Sequence, residues 1–235
     1  MVAGRGLAQT QAGDMENDTE MSRSTIEDPS TDRAAETRER LIQAGLALFS
    51  RLGLEGVRTR QLSEAAGVNQ AAIPYHFGGK EGVYAAVLEQ TAQDIVQRLD
   101  LPAAPPATAK EAATQLDGLM RAFTTALLDS ETAAARSLLL AREQLQPTPK
   151  FDAIQVVLFV PLHEAVTALV AAIRCETPDS PESILRAHAI LGQAIVFAVA
   201  REALLRRLGA KRLTRDMVAE IADLVGNTAV SAAKG

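Results

Sequence analysis

The chain has 235 residues, of which 47% are apolar and 3% aromatic, with a net charge of −5 and one cysteine, Cys175. This acidic balance argues against binding nucleic acid through overall charge, and a single cysteine excludes an intramolecular disulfide or a multi-cysteine zinc site. The first 32 residues are polar and acidic and have no apolar signal segment. We therefore expect a disordered tail followed by a helical protein rich in Ala and Leu.

Positive charge is concentrated in residues 33–80, where six Arg and Lys80 stand against four acidic residues, a net charge of +3. The segments on either side, 1–32 and 81–235, are both acidic. A local basic patch is what binding to phosphate groups requires. The alternative, a chance excess of charge on a solvated face, stays open at this point.

Helical periodicity begins at Arg33 and ends at the two glycines of "RLGLEG". A short helix follows in "TRQLSEAAG", with Thr59 as its expected N-cap and Gly67 as its end. A second short helix of roughly eight residues follows in "GVNQAAIPYHF", and from Lys80 a long helix extends to about Leu99. Two short helices joined by a glycine turn predict a helix-turn-helix.

The second short helix has the side chains of a DNA reader. Val68, Ile73 and Phe77 are expected to anchor it, which leaves small, amide and polar residues outside. Gln can bond the edge of adenine, and Ala or Pro can contact a thymine methyl group. Pro74 is expected about one turn into this helix, where it would cost one backbone hydrogen bond. The predicted base-facing residues are Gln70, Ala71 and Pro74, and the predicted phosphate contacts are Tyr75, His76 and Lys80.

The block from about Thr37 to Gln90 resembles the DNA-binding domain of TetR-family transcriptional regulators, through "RERLIQAGLALFSRLGLEGVRTRQLSEAAGV" and "NQAAIPYHFGGKEGVY". "AREQLQPTP" resembles the CecR-like branch, whose C-terminal body is a helical effector-binding and dimerisation domain. Arg58, where the family often has Ser or Thr, and Pro74, where it commonly has an aromatic residue, depart from the pattern. The resemblance implies phosphate contacts by Thr59 and Arg60, with Arg60 also within reach of a base, base contacts by Gln70, Ala71 and Ala72, and backbone contacts by Tyr75, His76 and Lys80.

The stretch "DLPAAPPATAK" contains three prolines and predicts a linker. Beyond it we expect helices at about 108–129, 131–146, 151–174, 182–208 and 214–232. The expected fold class is all-α with about nine helices. Its predicted parts are the tail 1–32, a helix-turn-helix domain 33–80, a connecting helix and Pro-rich linker 81–107, and an effector-binding and dimerisation domain 108–235.

A homodimer is expected because one helix-turn-helix reads few base pairs and a two-fold dimer reads a palindrome. "ILRAHAILGQAIVFAVAREALL" is apolar almost all round, and "MVAEIADLVGNTAV" has a second apolar face. Together with their symmetry mates they would form a four-helix bundle, and packing inside one chain is the alternative. The predicted interface residues are Ala189, Gly192, Ala194, Ala198, Ile221, Leu224 and Val225.

The effector pocket is sought where polar or aromatic groups stand among apolar ones. For each candidate the alternative is an ordinary core or interface residue, and Arg142 could equally form a structural ion pair with Glu143. Pro161 is expected to kink its helix and open space nearby. The long helix 80–99 and the linker 100–110 are expected to transmit the effector's signal to DNA. The candidates are Met120, Phe123, Arg142, Phe159, His163, Gln193 and Phe197.

The sequence contains no HExxH, P-loop or GxSxG motif, so we expect no enzyme, no metal and no cofactor. The apolar run 154–173 is broken by Pro161, His163 and Glu164, which disfavours a membrane span and favours a cytoplasmic protein. The expected function is a ligand-responsive regulator, by family habit a repressor, whose partners are double-stranded DNA, a small-molecule effector and a second copy. The alternative is a helical interaction or structural protein with a degenerate DNA-binding domain.

Overall fold

The computed structural model describes residues 29–235; the regular secondary structure of this range is helical, with no β-strand among the described residues. The all-α prediction is confirmed. The helices are α1 (Pro29–Gly56), α2 (Thr59–Ala66), α3 (Ala72–Phe77), α4 (Lys80–Val96), α5 (Ala109–Leu128), α6 (Glu131–Leu145), α7 (Phe151–Ile154), α8 (Val160–Arg174), α9 (Pro181–Val199), α10 (Arg201–Leu208) and α11 (Arg215–Lys234), with a π-helical turn at Gln155–Phe159.

The N-terminal boundaries differ slightly from the prediction. Most of the predicted tail, residues 1–28, lies outside the described range, and α1 begins at Pro29 rather than Arg33. The N-cap of α2 is Arg58 and not Thr59, which is the first helical residue. The Arg58 backbone is extended, and its N–H donates to the Gln61 side chain at 2.8 Å. This bond is the half of a capping box in which the third helical residue caps the N-cap N–H, and the cap prediction was wrong by one residue.

Two predicted helices are interrupted, which raises the number from about nine to eleven in the described range. The predicted helix 182–208 breaks at Ala200, whose φ is −96° and ψ 21°. The predicted helix 151–174 contains the π-helical turn, which directly precedes Val160 and Pro161. Pro161 has no N–H and its ring crowds the carbonyl four residues earlier, so a locally widened helix accommodates it.

The N-terminal helices and the larger helical body meet at α4 and α6. Tyr84 and Phe49 pack edge to face with ring centroids 4.9 Å apart. The Tyr84 hydroxyl donates to the buried Glu143 carboxylate at 2.5 Å, and the N–H and hydroxyl of Thr148 donate to its other oxygen at 3.1 Å. Burial, with the hydrogen bond to Glu143, raises the pKa of Tyr84. The Tyr84 bond joins α4 to α6, and the two Thr148 bonds supply the buried carboxyl group with further partners.

Two helical stretches, Phe151–Arg174 and Pro181–Val199, are long and apolar enough to cross a membrane by composition alone. In the fold they pack against each other and against α5 as parts of one helical body. Core helices of a globular protein satisfy the same criterion, so their hydropathy is weak support for a membrane span.

Candidate functional site

The turn between α2 and α3 is fixed by Gly67, which has φ 62° and ψ 38°. In this left-handed conformation a side chain would be strained. The Gly67 N–H donates to the Glu64 carbonyl at 3.1 Å, and the Val68 N–H donates to the Ser63 carbonyl at 3.0 Å. Arg40 of α1 donates to the Gly67 carbonyl at 3.0 Å. The predicted glycine turn is therefore present and is tied to the first helix.

The start of α3 is held by two polar side chains. The Asn69 side chain accepts a hydrogen bond from the Ala71 N–H at 2.8 Å, and its carbonyl accepts one from the Ala72 N–H at 2.9 Å. Gln70 donates to the Thr59 hydroxyl at 3.1 Å, which joins the turn before α3 to the first residue of α2. This bond holds the predicted base-reading amide against the predicted phosphate-binding hydroxyl.

Pro74 is the third residue of the six-residue helix α3, not a residue about one turn into a longer one. Its missing N–H therefore falls among the first-turn donors that have no partner within a helix. The expected loss of a backbone hydrogen bond does not occur, because α3 starts later than the sequence suggested. Pro74 is exposed, and its carbonyl accepts the Gly78 N–H at 3.0 Å, which closes the helix.

The ten predicted DNA-binding residues are all accessible to solvent. Two shallow grooves run along α3, one beside Thr59 and Pro74 and the other beside Asn69 and Tyr75, and Ala71 contributes to both. Ala71 thus forms the ridge between them. Exposed are Arg58, Arg60, Gln70, Ala71, Pro74 and Tyr75, and half-buried are Thr59, Ala72, His76 and Lys80. We call these ten residues the reading surface.

Tyr75 is 83% exposed and contacts the ring of His76 edge to face, with centroids 4.8 Å apart. Its large side chain buries almost nothing within the chain, which suits an external partner. The sequence reasoning missed Asn69 and Arg40 as residues of this region. An Asn just before a helix is a typical cap and could have been found. Arg40 could not, because its position beside Gly67 is tertiary.

α4 begins directly behind the reading surface. No side chain caps its N-terminus at Gly79, and Lys80 is its first residue. Open backbone N–H groups beside a lysine favour an anion. A second glycine, Gly82, allows a close approach, because a Cβ there would lie 1.7 Å from the Phe77 carbonyl oxygen. The spacing of the "HFGGKEG" segment is thus imposed by the junction of α3 and α4.

A cavity of about 320 Å³ lies in the helical body, between α5, α6, the π-helical turn, α8 and α9. Of the predicted effector residues, Phe123, Phe159 and His163 line it. Met120 is buried in the core, and Phe197 lines a separate groove with Leu204 and Met217. The side-chain oxygen of Gln193 is buried without a hydrogen-bond partner in the described part of the chain.

Arg142 and Glu143 do not pair with each other within residues 29–235. Arg142 donates to the Arg51 carbonyl at 3.2 Å and lies against Gly53, the residue at which α1 is kinked. Glu143 binds Tyr84 of α4. On the opposite side of α6, Ser137, Leu140, Ala141 and Gln144 line the cavity. One helix therefore contacts both the cavity and the N-terminal domain.

The predicted interface residues fall into three environments. Ala194 and Val225 are buried in the chain's own core, 0% and 2% exposed. Gly192 and Ala198 line the cavity, although Gly192 is also exposed. Ala189 and Leu224 are exposed, and Ile221 lies beside Leu224 in the groove that contains Phe197.

Among the described residues no group of three or more His, Cys, Asp or Glu is close enough to hold a metal ion. Residues 41–87 match the family model of bacterial regulatory proteins, tetR family, and residues 112–235 match that of the HTH-type transcriptional dual regulator CecR, C-terminal domain. The chain belongs to the TetR family, in its CecR branch. Members of this family are regulators of transcription and not enzymes, so the chain is a DNA-binding transcriptional regulator.

One relative matches along most of its length. The HTH-type transcriptional dual regulator CecR of Shigella flexneri is 32% identical over 188 residues, 76% of this chain and 83% of that protein. A tetR-family regulatory protein from Rhodococcus RHA1 has a TM-score of 0.64 at 15% identity, covering 83% of this chain and 95% of its own. AibR, solved with isovaleryl coenzyme A and operator DNA, has a TM-score of 0.60 at 14% identity, covering 81% and 97%. These two structures show the shared fold.

Proposed function

We propose that the protein is a repressor that binds a palindromic operator as a homodimer and leaves it when a small molecule occupies the cavity. The observation that supports this best is the double contact of α6. Its cavity-lining side includes Leu140 and Ala141, and its other side carries Arg142 and Glu143, bonded to α1 and α4. A shift of α6 on ligand binding would therefore move the reading surface.

The reading surface supports specific binding by its chemistry. Gln70 and Ala71 would meet base edges, while Thr59, Tyr75 and Lys80 would bind phosphates and set the register. The remaining predicted contacts keep their proposed roles: Arg58, Arg60 and His76 with the backbone, and Ala72 and Pro74 with bases. Acting on DNA would place the protein in the cytoplasm.

A second copy of the chain is the proposed partner of the exposed apolar surface on α9 and α11. Leu185 is 69% exposed, Val196 53% and Leu224 57%. Large exposed apolar side chains that share a helix face, as Leu185 and Val196 do on α9, mark an interaction surface. Ala189 and Gly192 lie on the same exposed side of α9 and would permit close packing. Ala194 and Val225 are buried within the chain, so we propose Leu185 and Val196 as contacts in their place.

Release of DNA would be a population shift between two spacings of the reading surfaces. A ligand shifts that equilibrium only by its difference in affinity for the two states. We propose that α6 and α4 transmit this difference, with the linker 100–110 in a lesser role. Crosslinking the two DNA-binding domains at operator spacing should then abolish the ligand's effect.

Fluorescence anisotropy with DNA from upstream of the gene, against scrambled DNA and over a salt series, tests the proposal. We expect preferential binding with a steep salt dependence, because phosphate contacts release counterions. Gln70→Ala should lower affinity for the specific DNA about tenfold, the value of one good base contact. Gln97→Ala, an exposed glutamine just beyond α4, should not. Equal, weak binding to both DNAs would contradict the proposal.

A further inference from the structure

The walls of the cavity are apolar and carry no formal charge. Among its described lining residues there is no Lys, Arg, Asp or Glu. The polar side chains that line it are Ser137, Gln144, His163 and His188. A cavity of about 150 Å³ holds one benzene ring, so about 320 Å³ accommodates a ligand of about two rings.

The Ser137 hydroxyl donates to the Leu127 carbonyl at 3.1 Å, so its hydrogen is not available to a ligand. Gln144 and His188 are exposed to solvent, and His188 lies 5.8 Å from His163 between ring centroids. His163 is half-buried, and burial first, then the neighbouring His188, lowers its pKa, although Glu164 opposes the shift. The imidazole of His163 is therefore neutral near pH 7.

The tautomer of His163 follows from Thr167, one turn later on α8. The Thr167 hydroxyl lies 2.7 Å from the His163 carbonyl oxygen and 3.2 Å from His163 Nδ1. The shorter contact assigns the hydroxyl hydrogen to the carbonyl, so Oγ1 accepts a hydrogen from Nδ1. Nε2 then carries the lone pair, and no residue in the described range hydrogen-bonds to it. With this assignment, His163, which lines the cavity, has Nε2 as its hydrogen-bond acceptor.

We propose that the cavity takes a neutral, largely apolar ligand of about two rings with one hydrogen-bond donor, which His163 Nε2 accepts. The inference rests on the proposed function, in which this cavity is the effector site. A carboxylate would lose its hydration in a site without Lys or Arg, and protonation of His163 to compensate is opposed by its burial. A ligand without any donor would leave the lone pair of Nε2 without a partner.

Three probes of one size distinguish these cases: 4-phenylphenol, its methyl ether 4-methoxybiphenyl, and biphenyl-4-carboxylate. Isothermal titration calorimetry with the full-length protein should show the phenol binding about tenfold more tightly than the ether, and the carboxylate more weakly than the phenol by at least about tenfold. Tighter binding of the carboxylate, equal binding of phenol and ether, or no binding of any probe would overturn the proposal.

Two variants locate the acceptor. His163→Phe should bring the phenol-to-ether ratio close to one, while His163→Gln, which keeps an acceptor oxygen, should retain part of the preference. Leu145→Ala, at an exposed residue of α6 that does not line the cavity, is the control and should keep the ratio of the unchanged protein. Circular dichroism and thermal melting check that each variant folds. A preference that survives in His163→Phe would overturn the assignment.

Two separate assays test the proposed function and the ligand chemistry, so that either one can be disproved without the other. Probe binding is measured without DNA, and DNA release is measured by anisotropy. If the phenol binds with the expected preference but does not release DNA, the ligand chemistry stands and effector-controlled repression does not. If the ether and carboxylate release DNA as well as the phenol does, the function stands and the ligand chemistry does not.

Discussion

The reading surface and the cavity are built in opposite ways. The reading surface comes from one run of residues, 58–80, shaped by a glycine turn and by bonds between near neighbours such as Gln70 and Thr59. The cavity needs five segments between Phe123 and Val199. Local chemistry therefore specifies the first, whereas the second exists only when distant helices have packed.

The two tyrosines of the chain differ in the same way, one lying on the locally formed reading surface and the other in a contact between distant segments. Tyr75 on the reading surface is 83% exposed, and Tyr84 at the junction with the body is 1% exposed. The first has its side chain free for a partner, and the second is bonded to a carboxylate 59 residues away. Function at the surface should thus be separable from stability, whereas at the junction the two should change together.

Gly82→Ala should give the largest effect, because the new Cβ would lie 1.7 Å from a backbone oxygen that cannot move without displacing α3. We expect a loss of about 3 kcal/mol in the free energy of unfolding, together with loss of DNA binding. Urea unfolding and anisotropy measure both. Gly118→Ala in α5 is the control: nothing lies within 4 Å of its Cβ, so stability should be unchanged or slightly higher. Equal behaviour of the two variants would disprove the close approach.

Tyr84→Phe should cost about 2 kcal/mol, because the buried Glu143 loses its shortest hydrogen bond. The raised pKa of Tyr84 also makes stability fall as pH rises above 10.0, since the unfolded tyrosine loses its proton first. The variant should lack this part of the alkaline loss. Urea titrations at pH 9 and pH 11 test it. An identical pH dependence in both proteins would rule out this role.

Tyr75→Ala should lower DNA affinity about fivefold, the loss of roughly one phosphate hydrogen bond, and leave the free energy of unfolding within about 0.5 kcal/mol. Leu145→Ala, at 79% exposure on α6, is the matched control and should change neither quantity. Anisotropy and urea unfolding separate the two effects. If the Tyr75 variant were clearly less stable, function at the reading surface would not be separable from stability, and the contrast with Tyr84 would be wrong.

Pro74→Ala should have the smallest effect, a loss of about 0.5 kcal/mol, because the first turn of α3 tolerates proline and the unfolded chain gains freedom. Had Pro74 been a true interior residue, its removal would instead stabilise the protein by about 3 kcal/mol. The sign of the change in urea unfolding therefore decides its position. A role in base contact requires, in addition, an altered site preference in anisotropy.

The sequence by itself determined the helical class and the order of the N-terminal helices, and its ten predicted DNA-binding residues are solvent-accessible in the structure. Each of these depends on signals a few residues apart: the glycine at 67, the helical spacing of apolar residues, and small side chains between Val68 and Phe77. It misplaced the start of α2 by one residue, because Gln61 rather than a hydroxyl bonds the cap, and that of α3 by about two, because the typical capping role of Asn69 was overlooked.

Only the tertiary structure decided the break at Ala200, the π-helical turn before Pro161 and the cavity. It also decided which apolar residues of α9 are buried and which are exposed. Residues 193–208 contain no Gly or Pro, so the sequence has no helix-breaking residue that would predict the end of α9 at Ala200. Periodicity shows that a helix face is apolar but not what covers it, so Ala194 and Leu185 look alike in sequence, although one is buried and the other exposed. The partner of a helix face is a property of the packed molecule, because it depends on contacts between residues far apart in the chain.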